Sequence, residues 1–463
     1  MAPLAIVPDT ISELTQAGIE HTILKTAPSI TTNGTNGTNG INGHNGYTNG
    51  HSNGPHVALA ELDASQLVFT RTTTPRAVPE PNSPEVWSTS VSTDHMVTCK
   101  WTAKDGWAAP HLEPYGPLSL MPTASVLHYA TECFEGMKFY RGYDGRLRLF
   151  RPDRNCRRML TSATRIALPA FNPAELQKLI AKLVSVDGAK WLPKSRPGTF
   201  IYLRPTMIAT AAALGVQRPK EALLFIIAVY FPSFDDPAGI AGLLSLADNG
   251  QVNASLKKPG MKLLASQDDM VRAWPGGFGY AKVGANYGPS LIAQQEARER
   301  GYNQILWLFG KDCQVTEAGA SNFFLVWRTP EGKLQLVTAP LDDKIILDGV
   351  TRRSILDLTK ERLSNTWEDI EALEICERKY TMYEVEIAIE QGRVVEAFAA
   401  GTAFFVAPIS EIHFRGKDLD IPMSEGETGK YARLIKGWLK NIMYGKEQHE
   451  WGFVVKEEME EDA

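Results

Sequence analysis

Hydrophobic and polar positions along this chain predict mixed helices and strands from about residue 84 onward. His95-Met-Val-Thr-Cys-Lys-Trp101 reads as a strand, and Arg-Leu-Arg-Leu-Phe at 146–150 as another. A helix is expected next, capped by Asn155 and running to about residue 166. Asn172 and Pro173 open a second helix, because the asparagine side chain accepts from free N–H groups and proline has none to leave unpaired. Its Leu176, Leu179, Ile180, Leu183 and Val184 recur at helical spacing on one face. The apolar runs 199–209 and 222–231 read as buried strands. Together these predict a small N-terminal α/β unit over residues 85–230.

Residues 231–266 are rich in Pro, Gly and Asn, which predicts an irregular connection between units, with an exposed insertion at 250–266. A larger unit is expected over 267–455. It has a helix at 290–300, a strand at 304–309 and a strand pair, 323–328 and 334–339, around Glu331-Gly332. Another helix covers 351–360, and Thr381-Met-Tyr-Glu384 is a capping box that opens one more. Strands at 393–398 and 403–409 close a sheet. The fold class is therefore α+β, with two units. Residues 456–463 form an acidic tail, and no internal repeat is evident.

Composition narrows the function. Lys plus Arg number 48 against 53 Asp plus Glu, a net charge of −5, which makes no electrostatic case for nucleic acid or an anionic membrane. No apolar run approaches a membrane span. The cysteines (Cys99, Cys133, Cys156, Cys313, Cys376) are odd in number and form no C-x-x-C pair, which argues against a disulfide framework or a metal site. Residues 1–70 carry Lys25 but no Arg, and five acids, unlike a mitochondrial transit peptide; the cytosol is the expected location, with mitochondria disfavoured. Residues 31–54 hold seven Asn-Gly dipeptides, so residues 1–55 are expected to be a disordered Asn/Gly-rich tail.

The densest glycine region surrounds a single lysine. In WPGGFGYAKVGANYGPS, five glycines (Gly276, Gly277, Gly279, Gly284, Gly288) flank Lys282. Such a segment lets backbone approach a ligand closely. Taken alone it reads first as a glycine-rich turn with a solvated lysine; a phosphate contact is the other reading, although the phosphate-loop pattern is absent. Seven segments change this. LHYATECFEGMKFYRG (127–142), LRLFRPDRNCRRM (147–159), IYLRPTMIA (201–209), VRAWPGGFGYAKVGANYG (271–288), TEAGASNFF (316–324), LDGVTRRSILDL (347–358) and AFAAGTAFFVAP (397–408) occur in the order found in branched-chain amino acid aminotransferases. The chain resembles that family of fold-type IV enzymes dependent on pyridoxal 5'-phosphate across about residues 90–450.

The resemblance implies a cofactor between two domains and a ping-pong transfer of the amino group between Leu, Ile or Val and 2-oxoglutarate. Lys282 takes the place of the lysine that holds the cofactor aldehyde and then shuttles a proton. Glu317 matches the carboxylate that faces the pyridine nitrogen, and Tyr287 the phenol at the cofactor's 3'-oxygen. Arg158 matches the phosphate arginine, with neighbouring Arg157 as the alternative. Gly349, Val350 and Thr351 open a helix where an anion is favoured, and Thr402 adds a hydroxyl. Tyr202 and Arg204 match substrate positions. Tyr202 and the Thr402–Ala403 backbone are implied for the α-carboxylate, and Arg204 for the distal carboxylate of glutamate. Tyr129, Phe134, Leu214 and Val216 complete the substrate set, some reaching across the interface of a homodimer; core packing is the competing reading of the last three. Ala320, Ala285 and Phe404 depart from the family pattern, and Phe404, beside Ala403, is expected to reshape the substrate pocket. The competing functions are a same-fold enzyme with a shifted apolar or aromatic substrate, a D-amino acid or amine transaminase, and a silent binding protein. The IYLRP segment argues against the D-amino acid and amine readings, and the intact Lys–Glu–Tyr set against a silent protein.

Overall fold

Residues 58–81, 83–232, 259–366, 369–403 and 405–458 are described by a computed structural model of the chain. The tail 1–55, most of the insertion and Phe404 lie outside them. Nineteen strands and eight α-helices are formed among the described residues. The strands are β1 (Val68–Phe69), β2 (His95–Thr102), β3 (Gly106–Trp107), β4 (His111–Pro114), β5 (Glu132–Phe134), β6 (Met137–Arg141), β7 (Leu147–Phe150), β8 (Phe200–Ala209), β9 (Glu221–Val229) and β10 (Met261–Ala265). They continue as β11 (Gln304–Phe309), β12 (Gln314–Ala318), β13 (Ser321–Arg328), β14 (Leu334–Thr338), β15 (Glu374–Glu377), β16 (Val394–Gly401), β17 (Phe405–Phe414), β18 (Lys417–Asp420) and β19 (Gly452–Val455). The helices are α1 (Pro84–Trp87), α2 (Val126–Tyr129), α3 (Pro152–Arg165), α4 (Pro173–Trp191), α5 (Ser290–Glu299), α6 (Val350–Arg362), α7 (Met382–Glu390) and α8 (Lys430–Met443).

The first sheet runs β1-β4-β2-β9-β8-β6-β7-β19, with β3 on β2 and β5 on β8. Helices α3 and α4 supply Cys156, Met159, Leu176, Leu179, Ile180, Leu183 and Val184 to a core shared with its strands. The α4 start is as expected, with the Asn172 side chain accepting from Ala174 N and Pro173 in the first turn. The α3 start differs. Pro152 leads that helix and Arg151 precedes it in a left-handed conformation, while Asn155 sits inside the first turn and is buried. Its side chain does not cap the helix because it is turned toward Glu135 and Gly136.

The second sheet runs β12-β11-β10-β17-β16-β13-β14-β15, with β18 on β17. Strand β12 also pairs with β13, so β10 to β13, β16 and β17 close into a six-stranded ring. Alternate residues of β13 point to opposite faces, and both are buried: Phe323 and Leu325 in one core, Phe324 and Val326 in another with α6 and α8. That two-sided burial is why the run reads as continuously apolar. The expected strand pair and capping box are present.

Three features depart from the sequence reading. Ordered structure begins by Ala58, where Leu62 is buried in the first core, instead of near residue 84. Met261–Ala265, expected in the irregular connection, is a central strand paired on both sides. Strand β19 returns from the C-terminal end to pair with β7 in the first sheet. In these cases short apolar stretches are held by partners distant in sequence, which local pattern does not report. The described residues make one unit, whose two sheets face a common cavity.

Candidate active site

A cavity of about 170 Å³ is lined from the first sheet and α3 by Gly136, Arg158 and Tyr202. From the other side come Lys282, Glu317, Asn322, Val350, Thr351, Thr402 and Ala403. Lys282 follows the glycine-rich segment, which packs closely: a Cβ on Gly279 would collide with the Ile345 backbone. The lysine backbone is fixed on both sides, its N–H donating to Ser162 Oγ at 2.8 Å and its carbonyl accepting from Phe134 N at 3.1 Å. Its Nζ is 2.9 Å from Tyr287 Oη, which a single 3-10 turn at Gly284–Asn286 brings back toward it. The Phe134 ring covers both, 5.3 Å from the Tyr287 ring and 4.8 Å from Lys282 Nζ. Burial alone pushes the Tyr287 phenol up, but the charges of Lys282, Arg272 and Arg158 outweigh it and hold the phenol below its usual value.

Glu317, at the end of β12, is buried and pairs with the Arg272 guanidinium. Its Oε1 accepts from Asn322 Nδ2 at 3.2 Å and from Leu347 N at 3.3 Å. Burial pulls Arg272 below its ordinary value. At the opposite end Arg158 donates through Nε and Nη2 to both oxygens of Glu135, at 2.7 Å each, and through Nη1 to Asp348 O at 2.9 Å. Burial opposes the Arg158 charge, and Glu135 outweighs it, so that the guanidinium is held above its ordinary value. Arg157 lies mostly exposed beside Asp153 and does not line the cavity, whereas Arg158 does.

Helix α6 starts at the cavity wall with Gly349 as its cap and no side chain satisfying its first amides. A Cβ on Gly349 would strike Asn322 Oδ1, so only glycine lets the helix end come this close. Tyr202 Oη accepts from Arg204 Nη2 at 3.3 Å, and Arg204 lies 4.7 Å from the Phe134 ring. The Arg204 Nε is buried with no hydrogen-bond partner. Thr402 Oγ1 donates to Gly136 O at 3.4 Å. Lys282, Tyr287, Glu317, Arg158, Val350, Thr351, Thr402, Ala403, Tyr202, Phe134 and Arg204 are thus gathered at one place. Tyr129, Leu214 and Val216 are not: they are exposed, Val216 at 92%, and none lines the cavity of its own chain.

These groups fit pyridoxal phosphate. A cation and uncapped helix amides suit the phosphate, a lone amine suits the aldehyde, and a buried carboxylate and a phenol suit the ring. Sequence reasoning passed over Glu135, Arg272 and Asn322, which hold these groups in place, and gave Asn155, which braces Glu135, only a capping role. The signal for Glu135 was a carboxylate within a mostly apolar stretch, Cys133-Phe134 to Phe139-Tyr140, whose one other charged residue is Lys138.

A family model described as amino-transferase class IV matches residues 132–412. The chain is 45% identical over 405 residues to a cytosolic branched-chain-amino-acid aminotransferase of Saccharomyces cerevisiae, covering 86% of this chain and 99% of that protein. It is 44% identical over 391 residues to a mitochondrial one from the same yeast, covering 84% and 91%. The solved structure of a branched-chain aminotransferase from Thermobaculum terrenum in its PLP form superposes with a TM-score of 0.56 at 21% identity, over 78% of this chain and 98% of that one.

Proposed function

This chain belongs to the class IV amino-transferase family, and we propose that it transfers the amino group between L-leucine, L-isoleucine or L-valine and 2-oxoglutarate, using pyridoxal 5'-phosphate. The observation that carries this reading is the Lys282 Nζ–Tyr287 Oη pair at 2.9 Å in a cavity that also holds Glu317 and Arg158.

When bound, the cofactor supplies an aldehyde and an electron-withdrawing pyridinium ring that weakens the substrate's Cα–H bond. Lys282 would hold the cofactor's aldehyde carbon, and its Nζ, when free, would take the proton from the substrate Cα and deliver it to that aldehyde-derived carbon. Glu317, braced by Arg272 and Asn322, keeps a proton on the ring nitrogen. Tyr287, with its lowered phenol pKa, shares a proton with the 3'-oxygen. Arg158 and the amides of Val350 and Thr351 hold the phosphate, with the Thr402 hydroxyl beside them. The Thr402–Ala403 turn and Tyr202 receive the α-carboxylate, and Arg204 the distal carboxylate of glutamate. Phe134 shields the reacting lysine from water. Tyr129, Leu214 and Val216 serve the neighbouring subunit's pocket, so the active unit is a homodimer. The enzyme works in the cytosol, the location named for the first yeast relative.

The purified holoenzyme tests this reading. Adding L-leucine should bleach its visible absorbance, and 2-oxoglutarate should restore it. Lys282→Ala should retain the fold and lose turnover by more than about 10³-fold. A near wild-type rate in that variant, or a wild type that leaves leucine and 2-oxoglutarate unchanged, overturns the assignment.

A further inference from the structure

Lys138, on β6, has no role in the reaction as assigned above, yet it is buried to 2% exposure and joins the two sheets. Its Nζ donates to Ala403 O at 2.9 Å, 265 residues away in sequence. The ammonium lies 3.9 Å from the centroid of the Phe200 ring and 4.5 Å from that of Phe405. An ammonium removed from water is strongly destabilising unless its new contacts replace hydration. A carbonyl and two aromatic faces are such contacts.

The segment it grips is the turn between β16 and β17, where Gly401 and Phe405 are the last paired residues. That turn is strained: Phe405 has φ 57°, a left-handed conformation that bulky residues avoid. Such a conformation persists only where surrounding contacts impose it. Thr402 and Ala403 line the cavity, and both are tied to the opposite sheet, Thr402 through Gly136 O and Ala403 through Lys138. On its own sheet Lys138 stands directly across from Tyr202, which also lines the cavity. One buried cation therefore braces the Thr402–Ala403 turn from the strand position paired with Tyr202.

We propose that Lys138 is a positioning residue for the substrate α-carboxylate, holding the Thr402–Ala403 turn against the first sheet and placing a buried positive charge behind it. The inference rests on the functional reading given above, which assigns that turn to carboxylate recognition. Both substrates carry an α-carboxylate, so loss of the clamp should weaken both alike, whereas a specificity residue would affect one side chain more than another.

The test uses holoenzyme carrying Lys138→Met, which keeps much of the stem and removes charge and donor, and Lys138→Arg, which keeps both. The probe is 4-methylvalerate, a carboxylate with the leucine side chain and no amino group, titrated by its effect on the cofactor absorbance. Lys138→Met should load cofactor as the wild type does. Its Kd for 4-methylvalerate and its KM for leucine and for 2-oxoglutarate should each rise about tenfold or more, with kcat changed less. Lys138→Arg should recover most of that loss. Wild-type affinity for 4-methylvalerate in loaded Lys138→Met overturns the proposal. Should Lys138→Met fail to fold or load, Lys138→Gln and Lys138→Arg decide: binding restored by Arg and not by Gln supports the buried charge, and equal behaviour of the two, loss of fold included, overturns it. A failure of the functional reading would show in the wild type, which would not transaminate leucine; a failure of this inference shows only in the variants.

Discussion

Each group we assign to the reaction is held by a neighbouring side chain, and those supports decide what a substitution does. Glu135 is fully buried and accepts from Arg158 twice, from Asn155 Nδ2 at 2.8 Å and from Gly136 N at 3.2 Å. Removing one partner of a buried ion pair leaves the other charge uncompensated, at about 3–5 kcal/mol. Glu135→Ala should lose roughly that much stability and release cofactor on dialysis. Arg157→Ala, which removes an exposed i,i+4 pair with Asp153, should cost less than about 0.5 kcal/mol. Urea unfolding with a cofactor assay separates the two; equal losses would mean that Arg158 is not the buried partner. The Cys-Arg-Arg-Met run could not choose between these arginines, because adjacent helical residues point about 100° apart and only tertiary packing says which faces the cavity. Lys282, Tyr287 and Glu317 were named through the family resemblance, whose chemistry calls for those residue types, and the fold brings them to one cavity. Glu135, Arg272 and Asn322 were not, because their work is to orient other side chains and their partners are mostly distant in sequence.

The same distinction separates elements whose ends are local from those whose ends are not. Helix α7 was legible from Thr381 and Glu384, since a capping box closes on itself: Thr381 Oγ1 accepts from Glu384 N while Glu384 Oε2 accepts from Thr381 N. Helix α8 was passed over. Its cap is Gly429 with no side chain to offer, and Glu396, 36 residues earlier on β16, takes its first amides instead. Glu396 accepts from Tyr431 N at 3.0 Å and Ala432 N at 2.6 Å, and a Cβ on Gly429 would strike its carboxylate. Burial pushes the Glu396 carboxyl up from 4.5 to about 7, and the two amides pull it back only in part. The folded value lies above the unfolded one, so the fold binds this proton more tightly. The resulting stabilisation is full below the unfolded pKa and is lost as pH rises through about 7. Glu396→Gln cannot titrate. Its stability relative to wild type should therefore improve by about 2–3 kcal/mol between pH 4.5 and pH 8. Thermal melts of both proteins at pH 5 and pH 8 measure this, and a gap that does not change with pH would show that the carboxyl titrates normally.

For the molecule as a whole, the alternation of strands and helices made both sheets legible, but not their closure, since β19 and β10 are short strands defined by distant partners. Nor does sequence separate apolar residues that a chain buries itself from those it keeps for a second copy. Helix α2 and the loop after β8 lie side by side, joined by Ser125 N to Ala211 O at 3.2 Å and by the Ala124–Ala212 bridge. Together they expose Met121, Leu127, Tyr129, Leu214 and Val216. Three of these are residues we assign to substrate, yet they stand outside the cavity of their own chain. A patch that is apolar, contiguous and functional by assignment is expected to be covered by a partner. Leu214→Asp with Val216→Asp in one chain should fold normally, as exposed positions usually tolerate change, and lose activity on leucine. Lys282→Ala should be inactive for a different reason. Unfolded together and refolded in equal amounts, the two inactive chains should form hybrid dimers in which one pocket has its lysine and an intact loop from the other chain. Random pairing gives such hybrids half of the dimers and one working pocket each, so about a quarter of wild-type activity should return. No recovery on mixing, or full activity in a monomeric Leu214→Asp, Val216→Asp chain, would place that loop at a site other than the neighbour's pocket.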